Sequence, residues 1–232
     1  MRIDILTLFP EMFPAVLGTS ILGRAAASGV VAYHVHDIRA HTTDKHRNVD
    51  DRPFGGGPGM VMTCQPLYDC AVAVEALDEA PARRVLLTPQ GARLDQGLVE
   101  ALAREPRLLL IAGHYEGIDE RVIEELAPLE ISLGDFVLSG GELAAMVLAD
   151  AVVRLLPGAL GHQDSAAQDS FTLRAGAGSP GRLLEGPAYT RPRIWRGRKV
   201  PEVLLSGDHD AVDAWRRQRM EERTRARRPD LL

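Results

Sequence analysis

The sequence predicts an α/β fold built on a mostly parallel sheet, and two observations support this. Apolar runs at residues 108–112 and 129–133 each stop at a glycine, as is typical of buried parallel strands. A helical pattern follows each run, so strands and helices alternate along the chain. Because ligands bind such sheets at the carboxyl ends of the strands, we expect the functional site there.

The other elements follow from the same periodicities. Residues 2–8 and 31–37 alternate apolar and polar side chains, and residues 85–87 form a short apolar run before a turn at Thr88-Pro89-Gln90-Gly91. These three segments are predicted strands. Apolar residues three or four positions apart predict helices at residues 20–28, 66–80, 94–104, 118–126, 142–156 and 211–228.

His34 and His36 lie on one face of the predicted strand 31–37. Two histidines on a strand could bind a metal ion, but no cysteine or carboxylate stands at ligand spacing. We therefore interpret the pair as part of a solvated face.

Composition limits the class of protein. The chain has 232 residues, 45% of them hydrophobic, which suffices for one main domain and a smaller one. No apolar run approaches the ~20 residues needed to span a bilayer, and the first residues do not resemble a signal peptide. We expect a cytoplasmic protein that makes no contact with a membrane.

Charge is distributed unevenly along the chain. Residues 171–232 contain 14 Lys and Arg against 8 Asp and Glu, whereas residues 1–170 contain 13 against 24. A basic end on an acidic body is expected when that end binds a polyanion such as nucleic acid. A solvated charged helix would explain the same asymmetry, so charge alone leaves both interpretations open.

Residues 39–63 show neither helical nor strand periodicity of apolar residues, which predicts a long loop. A loop of this length in a compact domain is usually functional or disordered. The loop carries His46, Asp50 and Arg52 beside a glycine cluster that ends at Gly59. These glycines match neither a P-loop nor a dinucleotide-binding fingerprint. Basic groups beside exposed backbone could hold a phosphate or a nucleotide base, and a flexible surface loop is the alternative.

Six motifs occur in order over nearly the whole chain. They are DRPFGGGPGM (51–60), TPQG (88–91), GHYEGIDER (113–121), ISLGDFVLSGGE (131–142), GHQDSAAQDSF (161–171) and GPAYTRP (186–192). Together they resemble the bacterial tRNA (guanine-N1-)-methyltransferases of the SPOUT class. The resemblance implies S-adenosyl-L-methionine as methyl donor and guanine 37 of tRNA as acceptor. It also implies a homodimer with its active site at the subunit interface, and a deep C-terminal trefoil knot.

The resemblance further implies where the donor binds. The contacts fall in three glycine-rich loops after predicted strands, where Glu116 and Asp135 could recruit Mg²⁺, although no spacing predicts a metal site. The departures from the family are small: His114 stands where many members have Arg, and Phe54 and Phe136 stand where Tyr is frequent. The implied donor-binding residues are Leu87, Thr88, Pro89, Gly91, Gly113, Tyr115, Glu116, Ile118, Ser132, Leu133, Gly134, Asp135, Phe136, Val137, Leu138, Gly140 and Gly141.

Methylation of N1 of guanine needs a base, because N1 carries a proton at neutral pH, and a group that stabilises charge on O6. The family motifs assign these roles to Asp169 and Arg154. Each residue has a structural alternative: Asp169 could cap the turn that follows it, and Arg154 could pair with Asp150 on the same helix. The implied substrate contacts are His46, Asp50, Arg52, Gly59, Ser165 and Ser170.

The predicted organisation is a donor-binding methyltransferase domain (1–160), a linker (161–175) and a small, basic, helical tRNA-binding domain (176–232). Arginines of the predicted helix 211–228 and of residues 195–199 would contact phosphates. Two other functions stay open. A SPOUT methyltransferase acting on ribosomal RNA would share the knot but not the Asp169 motif, and an RNA-binding protein without catalysis would not use the donor.

Overall fold

A computed structural model describes residues 1–161, 169–172 and 182–232. The chain divides into two compact units, Met1–Gly161 and His162–Leu232. The domain boundary predicted at residue 176 lies outside the described residues, as does most of the predicted linker.

The first unit contains seven strands. They are β1 (Arg2–Thr7), β2 (Ala32–Asp37), β3 (Asp50–Asp51), β4 (Val61–Met62), β5 (Arg83–Arg93), β6 (Arg107–Ala112) and β7 (Leu129–Ser132). Five of them form one sheet in the order β2-β1-β6-β5-β7, and every pairing in it is parallel. β3 and β4 form a separate antiparallel pair. The predicted α/β fold with a mostly parallel sheet is confirmed.

Helices cover both faces of this sheet. They are α1 (Pro14–Leu17), α2 (Ser20–Ala27), α3 (Cys64–Glu75), α4 (Gln96–Leu102), α5 (Glu120–Leu126) and α6 (Glu142–Val153), with 3-10 turns at Pro10–Met12 and Ile38–His41. Alternation along β6 sends Leu108 and Leu110 into a core with α2, α4 and α6, and Leu109 and Ile111 into a core with α3 and α5. This burial on both faces explains why β6 reads as a continuous apolar run.

Capping residues account for some differences from the predicted helix bounds. The Asp95 carboxylate accepts a hydrogen bond from the Leu98 amide at 2.8 Å, so α4 begins at Gln96 rather than at residue 94. Asp119 accepts from the Arg121 amide and delays the start of α5 to Glu120. The predicted helix 66–80 was wrong at both ends, since α3 runs from Cys64 to Glu75.

β5 is longer than predicted. The segment expected to turn after residue 87 continues as strand to Arg93, with a register shift against β7 between Leu87 and Ala92. A Cβ on Gly91 would lie 2.4 Å from the Ile131 backbone nitrogen, so glycine is required for the two strands to approach. The tertiary pairing with β7 thus overrides the local turn signal.

The expectation of a purely solvated face at His34 and His36 was wrong for His36. Its Nε2 lies 2.9 Å from Oδ1 of the fully buried Asp4 on the neighbouring strand β1. Asp4 also accepts from Arg2 and from Arg107 Nε, the latter at 2.9 Å. Burial by itself raises the pKa of Asp4, but these hydrogen bonds outweigh it and hold the pKa well below its usual range.

In its described residues, 169–172 and 182–232, the second unit contains a short hairpin and a long helix. The elements are β8 (Ile194–Trp195), β9 (Arg198–Lys199) and α7 (His209–Arg227), with 3-10 turns at Glu202–Leu205 and Pro229–Leu231. Thr224 joins α7 to the chain before the hairpin, because its buried hydroxyl accepts a hydrogen bond from the Leu184 amide at 2.9 Å. The same hydroxyl donates to the Met220 carbonyl within α7. Within residues 1–161, 169–172 and 182–232, no helix has the length and apolar content to cross a bilayer.

Candidate functional site

A cavity of about 280 Å³ opens at the carboxyl ends of β6 and β7, beside the middle of β5. Its walls come from residues 86–90, from the loop 113–120 after β6, and from the segment 131–141 after β7. The volume is close to the lower end of the ~300–1,000 Å³ range of small-molecule sites. The cavity occupies the sheet edge at which parallel α/β proteins bind ligands.

Most of the residues implied as donor contacts line this cavity, and their role in binding stays a prediction. Gly91, Gly134 and Asp135 do not line it. Gly91 is explained by strand packing, while Gly134 belongs to a turn closed by the Ser132 hydroxyl. Those on the wall are Leu87, Thr88, Pro89, Gly113, Tyr115, Glu116, Ile118, Ser132, Leu133, Phe136, Val137, Leu138, Gly140 and Gly141.

Two of the cavity loops are joined directly through their backbones. The Gly141 amide donates to the Gly113 carbonyl at 2.7 Å, and His114 and Gly140 form an isolated antiparallel bridge. A Cβ on Gly141 would lie 2.8 Å from Ala112 Cα, so only glycine permits this approach. Main chain therefore forms much of this side of the cavity.

Beside this junction lies a buried carboxylate that sequence reasoning missed. Glu142, the first residue of α6, is 2% exposed. Its Oε1 accepts a hydrogen bond from Thr7 Oγ1 at 3.0 Å, and its Oε2 lies 3.4 Å from His114 Nδ1. The available signal was an acidic residue directly before the apolar run 143–149 of this helical segment. Glu142 thus connects the end of β1 with a cavity loop.

The glycine-rich loop of residues 39–63 is fastened to the same cavity. Gly59 has a φ of +78°, and a Cβ there would lie 2.3 Å from Glu116 Cγ, so the Glu116 side chain lies directly on its backbone. The Glu116 amide donates to the Met60 carbonyl at 3.0 Å. A predicted substrate contact and a predicted donor contact are therefore adjacent.

The other predicted substrate contacts are less defined by the fold. Asp50 lies in β3 and is half-buried, whereas His46 and Arg52 are exposed in the loop. Ser165 lies outside the described residues. Ser170 belongs to the second unit, where its hydroxyl accepts a hydrogen bond from the Glu185 amide at 3.0 Å.

The cavity wall carries negative charge. Glu116 and Glu120 line it, and its lining residues, which are all described, include no Lys or Arg. Arg39 reaches the Tyr115 hydroxyl at 3.1 Å. Such a wall favours a ligand that carries positive charge over a phosphate-rich one.

Large apolar side chains are exposed after β7 and on α6. Phe136 and Val137 are 55% and 82% exposed, and Leu143 and Val147 are 52% and 50% exposed. Leu143, Val147 and Arg154 are spaced by four and seven residues, so they lie along one face of the helix. Exposed apolar surface of this kind marks interaction sites.

The two predicted catalytic residues lie in different units. Arg154 follows α6 at its C-cap, and within the described chain no salt bridge joins it to Asp150. Asp169 precedes a segment that is bound to residues 183–185, where the Phe171 amide donates to the Leu183 carbonyl at 3.0 Å. That amide is therefore engaged by a backbone acceptor in the second unit.

Comparison with known proteins identifies similar sequences over the full chain. The family model described as tRNA (Guanine-1)-methyltransferase TrmD matches residues 1–232. A tRNA (guanine-N(1)-)-methyltransferase of Moorella thermoacetica is 55% identical, with all of this chain and 90% of that protein aligned. Proteins of the same name from Rhodopirellula baltica and Chloroflexus aurantiacus are 52% and 54% identical, also over all of this chain and over 94% and 88% of their own lengths.

Proposed function

Since this chain belongs to the tRNA (Guanine-1)-methyltransferase family, we propose that it transfers the methyl group of S-adenosyl-L-methionine to N1 of guanine 37 in tRNA. The observation that carries the proposal is the cavity at the ends of β6 and β7 and beside the middle of β5, which is lined by residues of three of the family motifs. We further infer that these strand-end loops form the deep trefoil knot expected of the SPOUT class.

The residues of the cavity fit the donor chemically. Apolar side chains such as Leu87, Ile118 and Leu138 suit the nucleoside ring of the donor. The carboxylates of Glu116 and Glu120 suit the sulfonium and ammonium charges of the donor. When bound, the donor supplies an electrophilic methyl group. Glu116 is also where Mg²⁺ would be recruited if the reaction uses it.

The chemical roles follow from the acceptor. N1 of guanine must lose its proton to become nucleophilic, and Asp169 takes that proton as general base. Negative charge then grows on O6, and the Arg154 guanidinium stabilises it. His46, Asp50, Arg52, Gly59, Ser165 and Ser170 would hold the guanine and its neighbours.

The exposed apolar residues on and before α6 support a homodimer. Burying Val137, Leu143 and Val147 against a second copy would remove an apolar surface from water. Arg154 lies on the same helix face, so such an interface would bring a catalytic side chain to the contact between subunits. The basic second unit would hold the tRNA backbone.

A methyl-transfer assay tests the proposed function directly. The purified protein is incubated with labelled S-adenosyl-L-methionine and a tRNA transcript that carries guanine 37, and the product is mapped by mass spectrometry. We expect 1-methylguanine at position 37 and no transfer to a transcript with adenine there. Transfer to ribosomal RNA instead would identify the alternative SPOUT activity, and donor-independent tRNA binding without transfer would identify a binding protein.

A further inference from the structure

The hairpin of β8 and β9 carries a concentrated positive charge. Residues 191–199, here called the 191–199 hairpin, are nine consecutive exposed residues. No Asp or Glu occurs between Glu185 and Glu202. The cations of the hairpin are Arg191, Arg193, Arg196, Arg198 and Lys199.

Several arginines on and after α7 are engaged by neighbouring groups, in contrast to the hairpin. Salt bridges join Arg216 to Asp213, Arg219 to Glu222 and Arg228 to Asp230. Among the residues that the structure describes, no salt bridge involves a cation of the 191–199 hairpin. The 191–199 hairpin therefore carries five cations with no acidic residue among them, whereas the arginines of α7 are interspersed with Asp and Glu.

An exposed tryptophan stands within this charge. Trp195 is 58% exposed, and the neighbouring Ile194 is 57% exposed. The Arg196 guanidinium carbon lies 5.1 Å from the centre of the indole ring, as in a cation–π contact. Large aromatic side chains gain most from burial, so an indole left open beside five cations indicates a surface that a partner covers.

The turn of the hairpin supports the same interpretation. Arg196 has a φ of +50° and Gly197 a φ of +76°, so both central residues are left-handed. Such two-residue turns favour Asn-Gly, because an arginine Cβ is disfavoured in this conformation. Backbone strain of this type concentrates at functional sites. In this turn the strained residue is Arg196, whose guanidinium lies beside the Trp195 indole.

We propose that the 191–199 hairpin binds single-stranded RNA, with an unpaired nucleobase stacked on Trp195 and flanking phosphates bound by the hairpin cations. The occupant follows from charge complementarity and from the indole, because an aromatic face accepts any unpaired base while the faces of paired bases are covered. The proposal rests on the proposed function, in which tRNA supplies the RNA.

Substitution of Trp195 in the full chain tests the stacking interaction. Loss of one aromatic–base stack weakens binding by ~5- to 150-fold, so Trp195→Leu raises the Kd for tRNA by that factor and Trp195→Phe recovers most of it. Leu77→Ala serves as control, because it removes an apolar side chain of similar exposure, 61%, from the first unit. An unchanged Kd for Trp195→Leu overturns the proposal.

Two further measurements separate RNA from other occupants. The double variant Arg198→Gln/Lys199→Gln makes the plot of log K against log salt less steep, by about 0.7 to 0.9 for each phosphate that the protein no longer neutralises. Trp195→Leu leaves this slope unchanged. We expect Trp195→Leu to weaken binding of an unstructured RNA oligonucleotide and to leave binding of a blunt RNA duplex unchanged. Dissociation of a dimer by Trp195→Leu in sedimentation would assign the hairpin to a second copy instead and overturn the RNA interaction.

Failure of this inference is distinct from failure of the proposed function. If the unmodified protein methylates guanine 37 and Trp195→Leu binds tRNA normally, only the role of the hairpin is wrong. If the unmodified protein transfers no methyl group to tRNA, the proposed function is wrong whatever the hairpin does.

Discussion

His114 and Glu142 are paired beside the cavity, with 3.4 Å between His114 Nδ1 and Glu142 Oε2. A Cβ on Gly140 would lie 2.3 Å from each of these atoms, so the bridge between the two loops also depends on a glycine. The carboxylate accepts a further hydrogen bond from Thr7 at 3.0 Å. The pair therefore holds the loop after β6 against the first turn of α6.

Removing the charge of Glu142 should loosen this loop. Glu142→Gln keeps the size of the side chain but loses a hydrogen bond to a charged acceptor, worth about 1.5–3 kcal/mol. We expect donor affinity to fall by roughly tenfold or more, which corresponds to 1.4 kcal/mol or more. Calorimetric titration with S-adenosyl-L-methionine measures this, and Glu124→Gln on the exposed face of α5 is the control. Equal affinity in both variants would contradict the positioning role.

Replacement of Asp169 by Asn should slow the chemical step. Asparagine keeps the size and hydrogen bonding of the side chain but cannot accept the N1 proton, so the single-turnover rate should fall by ~10²- to 10⁴-fold. Donor binding should be unchanged, because the cavity proposed to bind the donor is lined by residues of the first unit. Near-normal transfer at saturating donor and tRNA would return Asp169 to a structural role.

A charge on the exposed face of α6 should disrupt the proposed dimer. Val147→Asp places a carboxylate in an interface that would otherwise be apolar, at a cost of about 3–5 kcal/mol for an unpaired buried charge. Sedimentation should show monomers at concentrations where the unmodified protein is dimeric, with methyl transfer lost in parallel. Val72→Asp on α3 alters a residue of similar exposure, 44%, and should leave the dimer intact. A dimeric, active Val147→Asp protein would count against this interface.

Acid should destabilise the first unit through Asp4. Burial raises the pKa of Asp4, whereas hydrogen bonds from His36, Arg2 and Arg107 lower it. The net result is a depressed pKa in the folded protein. A depressed folded-state pKa adds stability that is present above the unfolded value of about 3.9 and is lost as pH falls below it. Urea unfolding from pH 7 to pH 3 should show this loss.

The Asp4→Asn variant isolates that contribution. It leaves the buried Arg107 guanidinium without its charge partner, which should cost about 3–5 kcal/mol at pH 7 and flatten the decline in acid. Glu79→Gln changes an exposed carboxylate near the same end of the sheet and should behave as the unmodified protein. Identical pH dependence in Asp4→Asn and the unmodified protein would exclude Asp4 as the source.

The sequence by itself determined the five strands of the main sheet, except for the length of β5, and the sheet edge at which the cavity lies. Continuous apolar runs stopped by glycine, segments of period-two alternation and helical periodicity are local signals, and the parallel sheet that they predicted is confirmed. Because parallel strands end at one edge, the glycine-rich loops of three motifs had to meet there. The six motifs together were specific enough to predict the family, which the full-length matches confirm.

Only the tertiary structure decided which polar side chains meet. Thr7 and Glu142 are 135 residues apart in the chain, and Asp4 and Arg107 are 103 apart, so no local pattern could pair them. The register of β1 against β6 brings Asp4 beside Arg107. The pairing of β5 with β7 turns Gly91 from an expected loop residue into a packing requirement. Local periodicity specifies which residues are buried, but the neighbours of a buried polar group depend on strand order and register, which are long-range properties of the fold.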